Sequence, residues 1–345
     1  FWNPRTGTRQ DLLLPELAGA TSAFDWSPDG QRLLLRVVSQ AVQRLYVYNL
    51  ATEQLTRLRH PSGTIYGAYF APGGEILAQI EDALHPTRLL ALDGDTGVMT
   101  REVLALGESL PARPWSAVTF PSRDGQPIQS WLARPEGEGP FPAIVHMVGG
   151  PGGVQMEAYS PQCQAWLDHG FAWLSVNYRG CATFGRDFEN QIFDDLGYWE
   201  VEDLVAAHQW LVKEGVARPD QIFLHGWSYG GYVALMGLSK YPDLWAGGMA
   251  GMAITDWAVQ YADSAPLLRG YLRGFLGGTP EEAAEQYARS SPVTYAQQVE
   301  APVYIIQGRN DTRTPARPVE QYAARMKGLG KDITIHWYDA GHGGG

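Results

Sequence analysis

Three residues in one chain order, Ser228, Asp311 and His342, have the types needed for acyl transfer through a covalent intermediate. Ser228 lies in Gly226-Trp227-Ser228-Tyr229-Gly230, after the apolar run 221–225 and before a helix-like segment, 232–240. Strand, sharp turn and helix form the setting in which a G-x-S-x-G pentapeptide becomes a nucleophile elbow. A serine at so tight a turn is strained, and side chains two positions to either side would collide with the flanking strand and helix, hence the glycines. With 40 glycines in 345 residues the pentapeptide alone is weak evidence. Its setting and the downstream acid and base give it force.

Residues 301–308 read as a buried parallel strand, and Asp311 follows its C-terminal end, where an open α/β sheet keeps its working residues. The alternating run 333–338 leads into Asp339-Ala340-Gly341-His342-Gly343, so His342 falls on a glycine-flanked loop beyond another strand end. Serine, acid, histidine is the α/β-hydrolase order. Ser228 is therefore expected as nucleophile, His342 as general base and then acid, and Asp311 as the carboxylate that fixes the tautomer and stabilises the imidazolium. Asp311 could instead cap a helix near Pro315, with Asp332 or Asp339 as the acid. His336 alternates into the strand as a wall residue. His60, His85, His146, His169, His208 and His225 show no metal-ligand spacing, and His225, just before the elbow, reads as a core histidine.

Acyl transfer also needs N–H donors where negative charge develops. The N–H of Tyr229 is one by the geometry of an elbow. The other is expected from Gly149-Gly150-Pro151-Gly152-Gly153, after the strand-like run 142–148, on Gly149 or Gly150. As structure alone that loop is a tight connection.

Val148-Gly149-Gly150-Pro151, Asn177-Tyr178-Arg179-Gly180 with Phe184-Gly185-Arg186-Asp187-Phe188, the elbow with Gly231, Ser291-Pro292, Gly308-Arg309-Asn310-Asp311 and Gly341-His342-Gly343 follow one another in order. Over roughly residues 114–345 this series resembles the prolyl oligopeptidase family of serine peptidases, in its acylaminoacyl-peptidase and dipeptidyl-peptidase-like bacterial branch. The resemblance implies the same three roles for Ser228, Asp311 and His342. Val148 departs from the His or Tyr usual before Gly-Gly-Pro, so oxyanion stabilisation there would rest on backbone N–H groups. Cys181 replaces a common Ser, a small residue kept for packing.

The N-terminal part is built differently. Ser27-Pro28-Asp29-Gly30 and Ala71-Pro72-Gly73-Gly74 are parallel turns 44 residues apart, and the same offset carries 46–52 onto 90–96. A period of this size with alternating strands and Gly-rich turns predicts four-stranded propeller blades. Trp2-Asn3-Pro4-Arg5-Thr6-Gly7 resembles the corresponding stretch again. Two blades and a remnant do not close a propeller, and with no initiating Met and an end just after His342, a fragment of a longer peptidase is expected. A natural short β-domain is the alternative. The segment 107–114, with two prolines, breaks periodicity and sets the boundary. The expected architecture is a partial, all-β propeller over 1–110 and, over 111–345, an α/β-hydrolase catalytic domain with a mostly parallel, doubly wound sheet. Residues 118–120 and 128–132 flank Asp124-Gly125 as an opening hairpin. Helix-like 201–212 carries Glu200, Glu202 and Asp203 at its start as capping acids.

A formal charge of −11 argues against nucleic acid as a partner. No 18-residue apolar run predicts a membrane span. Cys163 and Cys181 exclude a disulfide scaffold but leave one bridge open. Nucleotide and metal motifs are absent, so no cofactor and no catalytic metal are expected. Cytoplasm is the default compartment, with periplasm open, and the unpaired edges of a partial propeller would favour a homo-oligomer. In the resembled family the propeller screens the site. Tyr271 and Phe275 could wall a proline-sized or apolar substrate side chain, and Arg313 could hold a substrate carbonyl; core packing and a solvated charge are the alternatives. The expected activity is hydrolysis of short or N-acylated peptides. An esterase on the same three residues, and a non-catalytic propeller-type interaction module, are the competing readings.

Overall fold

A computed structural model of the chain describes residues 2–105, 107, 110–193 and 195–343. Glu108 and Ser109, in the expected boundary segment, lie outside the described residues. The chain divides into two compact units, Phe1–Asp82 with Pro86–Glu108, and Ala83–His85 with Ser109–Gly345.

In the first unit, β1 (Ala20–Trp26), β2 (Arg32–Ser39), β3 (Val42–Asn49) and β4 (Gln54–Arg57) form one antiparallel sheet. β5 (Thr64–Phe70), β6 (Ile76–Glu81), β7 (Arg88–Leu92) and β8 (Met99–Ala105) form a second. The 44-residue offset thus relates two four-stranded blades. Their β1–β2 and β5–β6 turns close alike: Gly30 N–H donates to Ser27 O at 2.8 Å and Gly74 N–H to Ala71 O at 2.9 Å. Both glycines have positive φ, 71° and 86°. Leu34, Leu45, Ile65, Ile76, Ile80 and Leu90 are buried between the two sheets. The first repeat shows the isolated bridge Trp2–Arg9 and a turn in which Asn3 Oδ1 accepts the N–H groups of Arg5 and Thr6, as Asn49 Oδ1 accepts those of Ala51 and Thr52.

The second unit has one eight-stranded sheet built from β9 (Ser116–Pro121), β10 (Pro127–Ala133), β11 (Phe141–Met147), β12 (Ala172–Val176), β13 (Ala217–Trp227), β14 (Gly247–Gly251), β15 (Val303–Gly308) and β16 (Ile333–Tyr338). Its order is β16-β15-β14-β13-β11-β12-β10-β9. The strands from β11 to β16 pair in parallel, and the expected hairpin is the antiparallel β9–β10 edge, with Thr119 opposite Gln129. The helices are α1 (Pro161–Asp168), α2 (Arg186–Asn190), α3 (Trp199–Lys213), α4 (Tyr229–Lys240), α5 (Trp257–Asp263), α6 (Pro266–Leu276), α7 (Ala284–Arg289) and α8 (Ala316–Gly328). Alternation splits each strand between two faces. Val145, Met147, Leu224 and Ile305 join the main core with Leu204 of α3, Val233 of α4 and Val319 of α8. Ile144, Trp173 and Phe223 face Cys163 and Leu167 of α1 instead. Cys163 and Cys181 are both buried and free, so no bridge links them.

On that second face His146 and His225 stand on neighbouring strands, Nδ1 to Nδ1 at 2.8 Å, with His146 stacked on Trp173 at 4.7 Å. One ring donates and the other accepts, which requires at least one of them to be neutral. Burial pushes His225 down to about 4, and burial followed by the neighbouring imidazole lowers His146 as well. The unfolded chain therefore takes up these protons first. Their contribution to stability is complete above about pH 6.5 and is lost as pH falls towards 4. We expect the urea midpoint of the parent, measured relative to a His146→Phe/His225→Phe variant, to fall between pH 7 and pH 5; a constant difference would show that the pair does not stay neutral.

Candidate active site

The carboxyl ends of β11, β13, β15 and β16 converge on one set of loops, because a parallel sheet points all its strands the same way. β13 runs through Trp227, Ser228 makes the corner and α4 begins at Tyr229. Ser228 has φ 58° and ψ −120°, a region that costs a non-glycine residue about 1–3 kcal/mol. Two backbone bonds hold it: Ser228 N–H donates to Gly251 O at 2.8 Å, and Tyr232 N–H to Ser228 O at 3.0 Å. A Cβ on Gly226 would strike the Gly230 carbonyl, and one on Gly230 would strike the Met147 carbonyl. Gly251, which nothing in the sequence singled out, would drive a Cβ into the Trp227 ring.

Asp311 and His342 close on this corner. His342 Nε2 is 3.0 Å from Ser228 Oγ, and His342 Nδ1 is 2.8 Å from Asp311 Oδ2. Asp311 Oδ1 accepts the backbone N–H groups of Arg313 and Thr314 at 2.8 and 2.9 Å, and Oδ2 accepts Thr314 Oγ1 at 2.7 Å. Burial alone would raise this carboxyl, but the hydrogen bonds from His342, Thr314 and Arg313 hold it below the usual carboxylate value. An ionised Asp311 accepts only, so His342 carries its proton on Nδ1 and presents Nε2 as an acceptor towards Ser228 Oγ. Asp311 caps no helix, since α8 has Pro315 at its N-cap and no side-chain cap bond. Asp339 lies 3.6 Å from Arg309, and His336 is an exposed residue of β16.

Gly149 lies beside the corner: a Cβ there would sit 3.2 Å from Trp227 O and 3.5 Å from Ser228 Cβ. The Val148 carbonyl before it accepts Tyr178 Oη at 2.8 Å, and Tyr178 stacks on Tyr229 at 6.5 Å. Tyr229, at the first position of α4, has an N–H without an intrahelical acceptor. Its hydroxyl donates to Glu200 Oε1 at 2.5 Å, while Glu200 Oε2 accepts Gly197 N–H at 3.1 Å. Burial pushes Glu200 up to about 7, against the lowering effect of the Tyr229 bond. The acids at the start of α3 are expected as helix caps, and here the structure differs, since the helix has no side-chain cap bond. Glu200 supports Tyr229, Glu202 meets Tyr241, and fully buried Asp203 pairs with Arg179 at 2.6 Å. Arg179 also reaches Asp124 and Ser122 at 2.7 Å and covers the Trp199 ring at 3.8 Å.

Beside Ser228 and His342 opens a cavity of about 770 Å³ lined by Gly150, Ile254, Trp257, Leu268, Tyr271 and Arg313, among others. Tyr271 is thus brought to the site. Phe275 is not among its lining residues: it stacks on Phe193 at 4.5 Å and meets Tyr271 at a tilt, ring centres 4.6 Å apart, backing the wall. Among the described residues no three His, Cys, Asp or Glu side chains could hold a metal ion, and no helix is long and apolar enough to cross a membrane.

Sheet, corner serine and the hydrogen-bonded row define an α/β-hydrolase fold. The prolyl oligopeptidase family pattern matches residues 158–345, and the chain belongs to that family. It is 30% identical over 250 residues to dipeptidyl aminopeptidase BIII of Pseudoxanthomonas mexicana, covering 68% of this chain and 36% of that protein. It is 24% identical over 343 residues to the acylamino-acid-releasing enzyme of Mus musculus, covering 91% of this chain and 46% of that protein. The acylaminoacyl peptidase of Pyrococcus horikoshii shares its fold at TM-score 0.82 and 23% identity, over 96% of this chain and 53% of that one. The chain therefore spans 36% to 53% of the length of these three relatives.

The Tyr229–Glu200 bond is testable by itself. Tyr229→Phe keeps the ring stack but leaves a buried carboxyl short of a donor, so urea unfolding should show a loss of about 1–3 kcal/mol. An unchanged midpoint would mean that the bond contributes nothing.

Proposed function

We propose that the chain carries the catalytic part, residues 111–345, of a serine peptidase that cleaves short or N-acylated peptides, with residues 1–110 as part of a propeller. The single observation that supports this most is the row from Ser228 Oγ through His342 to Asp311, at 3.0 and 2.8 Å, at the mouth of a largely apolar cavity. In this reading His342 Nε2 takes the serine proton as Oγ attacks the scissile carbonyl. The N–H groups of Tyr229 and of Gly149 or Gly150 receive the developing oxyanion. His342 then returns the proton to the leaving amine, and water repeats the sequence on the acyl-enzyme. Because Asp311 is held below the usual carboxylate value, it stays ionised throughout and stabilises the imidazolium. Arg313, exposed at the cavity, is suited to a substrate carbonyl, and Tyr271 to the wall of an apolar or proline-sized side chain.

The names of the relatives, a dipeptidyl aminopeptidase and an acylamino-acid-releasing enzyme, support a substrate with a short segment before the cleaved bond. Initial rates on dipeptidyl and N-acylaminoacyl p-nitroanilides, beside a p-nitrophenyl ester, test the reading. Ser228→Ala should lower kcat by about 10⁴–10⁶ and Asp311→Asn by about 10⁴, both without loss of fold. Ser228-dependent turnover of the ester alone would replace the peptidase with an esterase. Full activity in Ser228→Ala would remove the mechanism.

A further inference from the structure

Asp311 is served by more than the imidazole. Thr314, 3% exposed, donates its Oγ1–H to Asp311 Oδ2 at 2.7 Å, and the same oxygen receives His342 Nδ1 at 2.8 Å. An ionised carboxylate cannot donate, so the one hydroxyl hydrogen is committed to Asp311. A lone pair of Oγ1 is left facing His342 Nδ1, 3.3 Å away. The three groups close a ring of contacts in which one carboxylate oxygen is shared between two donors. Thr314 is held there by its backbone: its N–H donates to Asp311 Oδ1 at 2.9 Å and its carbonyl accepts Gln307 Nε2 at 2.9 Å. Oδ1 anchors the carboxylate through the N–H groups of Arg313 and Thr314. The hydroxyl on Oδ2 therefore fixes the other end and, with it, how much negative charge reaches the imidazole.

We propose that Thr314 is a positioning residue that acts on the base through Asp311: its hydroxyl shares Oδ2 with His342, so that the carboxylate holds the ring in place without binding the imidazolium too tightly to release its proton. The inference deepens the hydrolase mechanism proposed above and rests on it. A general base works best when its proton affinity is matched to the operating pH. Removing the hydroxyl leaves Oδ2 to the imidazole alone, which favours the charged ring; it also removes the lone pair near Nδ1, which disfavours it. The first effect outweighs the second, because the bond lost from Oδ2 is at 2.7 Å and involves a full charge, whereas the contact at 3.3 Å is with a neutral oxygen. Attack by Ser228 needs the neutral ring, so a ring that keeps its proton to higher pH moves the acid limb of kcat/KM upward.

The acid limb of kcat/KM is measured on p-nitrophenyl acetate in the parent chain and in Thr314→Val, with Thr314→Ser to restore the hydroxyl. Thr314→Cys, whose thiol is a weak donor, is the second variant should the valine protein not fold. Thr314→Val should raise the limb by about one pH unit, the lower end of what an opposite charge at this range does, and Thr314→Ser should bring it back. A loss of packing alone would lower the rate at every pH and leave the limb in place. The other ionisable groups around the ring are the same in every variant: Arg313 beside Asp311, Tyr338 at the end of β16, kept neutral by burial and by Asp311, and Asp339, 3.6 Å from Arg309. The same shift is read without turnover from the proton NMR signal of His342 Nδ1–H, assigned with His342→Gln and titrated in the Ser228→Ala background. Coincident limbs and titrations, a downward shift, or a serine variant displaced as far as the valine one overturn the proposal. No Ser228-dependent turnover of the ester by the parent would sink the hydrolase reading while the NMR titration still decides Thr314; Ser228-dependent turnover with coincident titrations would do the reverse.

Discussion

The second unit is organised around a serine backbone that would not adopt its conformation unaided. Ser228 sits at positive φ, and the free energy of that strain is recovered only if the surroundings leave it no alternative. The constraint spreads outward through close approaches. The corner hangs from Gly251 on β14, α4 can start only where Gly230 passes the Met147 carbonyl of β11, and Gly226 must make room for Gly230. Three adjacent strands and one helix are thereby fixed at a spacing set by backbone atoms, with no side chain between them. Parallel pairing does the rest, because it delivers the ends of β15 and β16 to the same edge as the corner.

Beneath the corner lies a layer of polar groups buried at considerable cost. Removing one member of a fully buried ion pair such as Arg179–Asp203 typically costs about 3–5 kcal/mol, because the remaining charge has nowhere to go. What this layer provides is position. Arg179 ties the β9–β10 turn to α3, Glu200 ties α3 to the tyrosine after the serine, and Tyr178 ties the neighbouring segment to the carbonyl before Gly149. The glycine loop and the first turn of α4 are therefore held by one connected set of hydrogen bonds and ring contacts.

Much of this was readable in the sequence because it is local or periodic. The elbow announces itself through glycine spacing, Asp311 and His342 through their places after apolar runs, and the two blades through a repeated turn. Pairings across the fold left no such trace. Glu200 looked like any acid at a helix start, and its partner Tyr229 is 29 residues away. Phe275 looked like a wall residue until Phe193 took its face. Helical or strand period tells which way a side chain points, but not what comes to meet it.

His342 follows β16, which among the described residues lies at one edge of the sheet and pairs with β15 alone. Edge strands open more readily than central ones, and elements with few neighbours open below the global unfolding threshold. Ser228 hangs from the middle of the same sheet, on β13. The row of hydrogen bonds is thus assembled from parts of unequal local stability, and fraying of one strand would detach the imidazole while the serine corner and most of the core stayed folded. Loss of function on warming can then precede loss of fold, with the two transitions separated by the opening of a single edge.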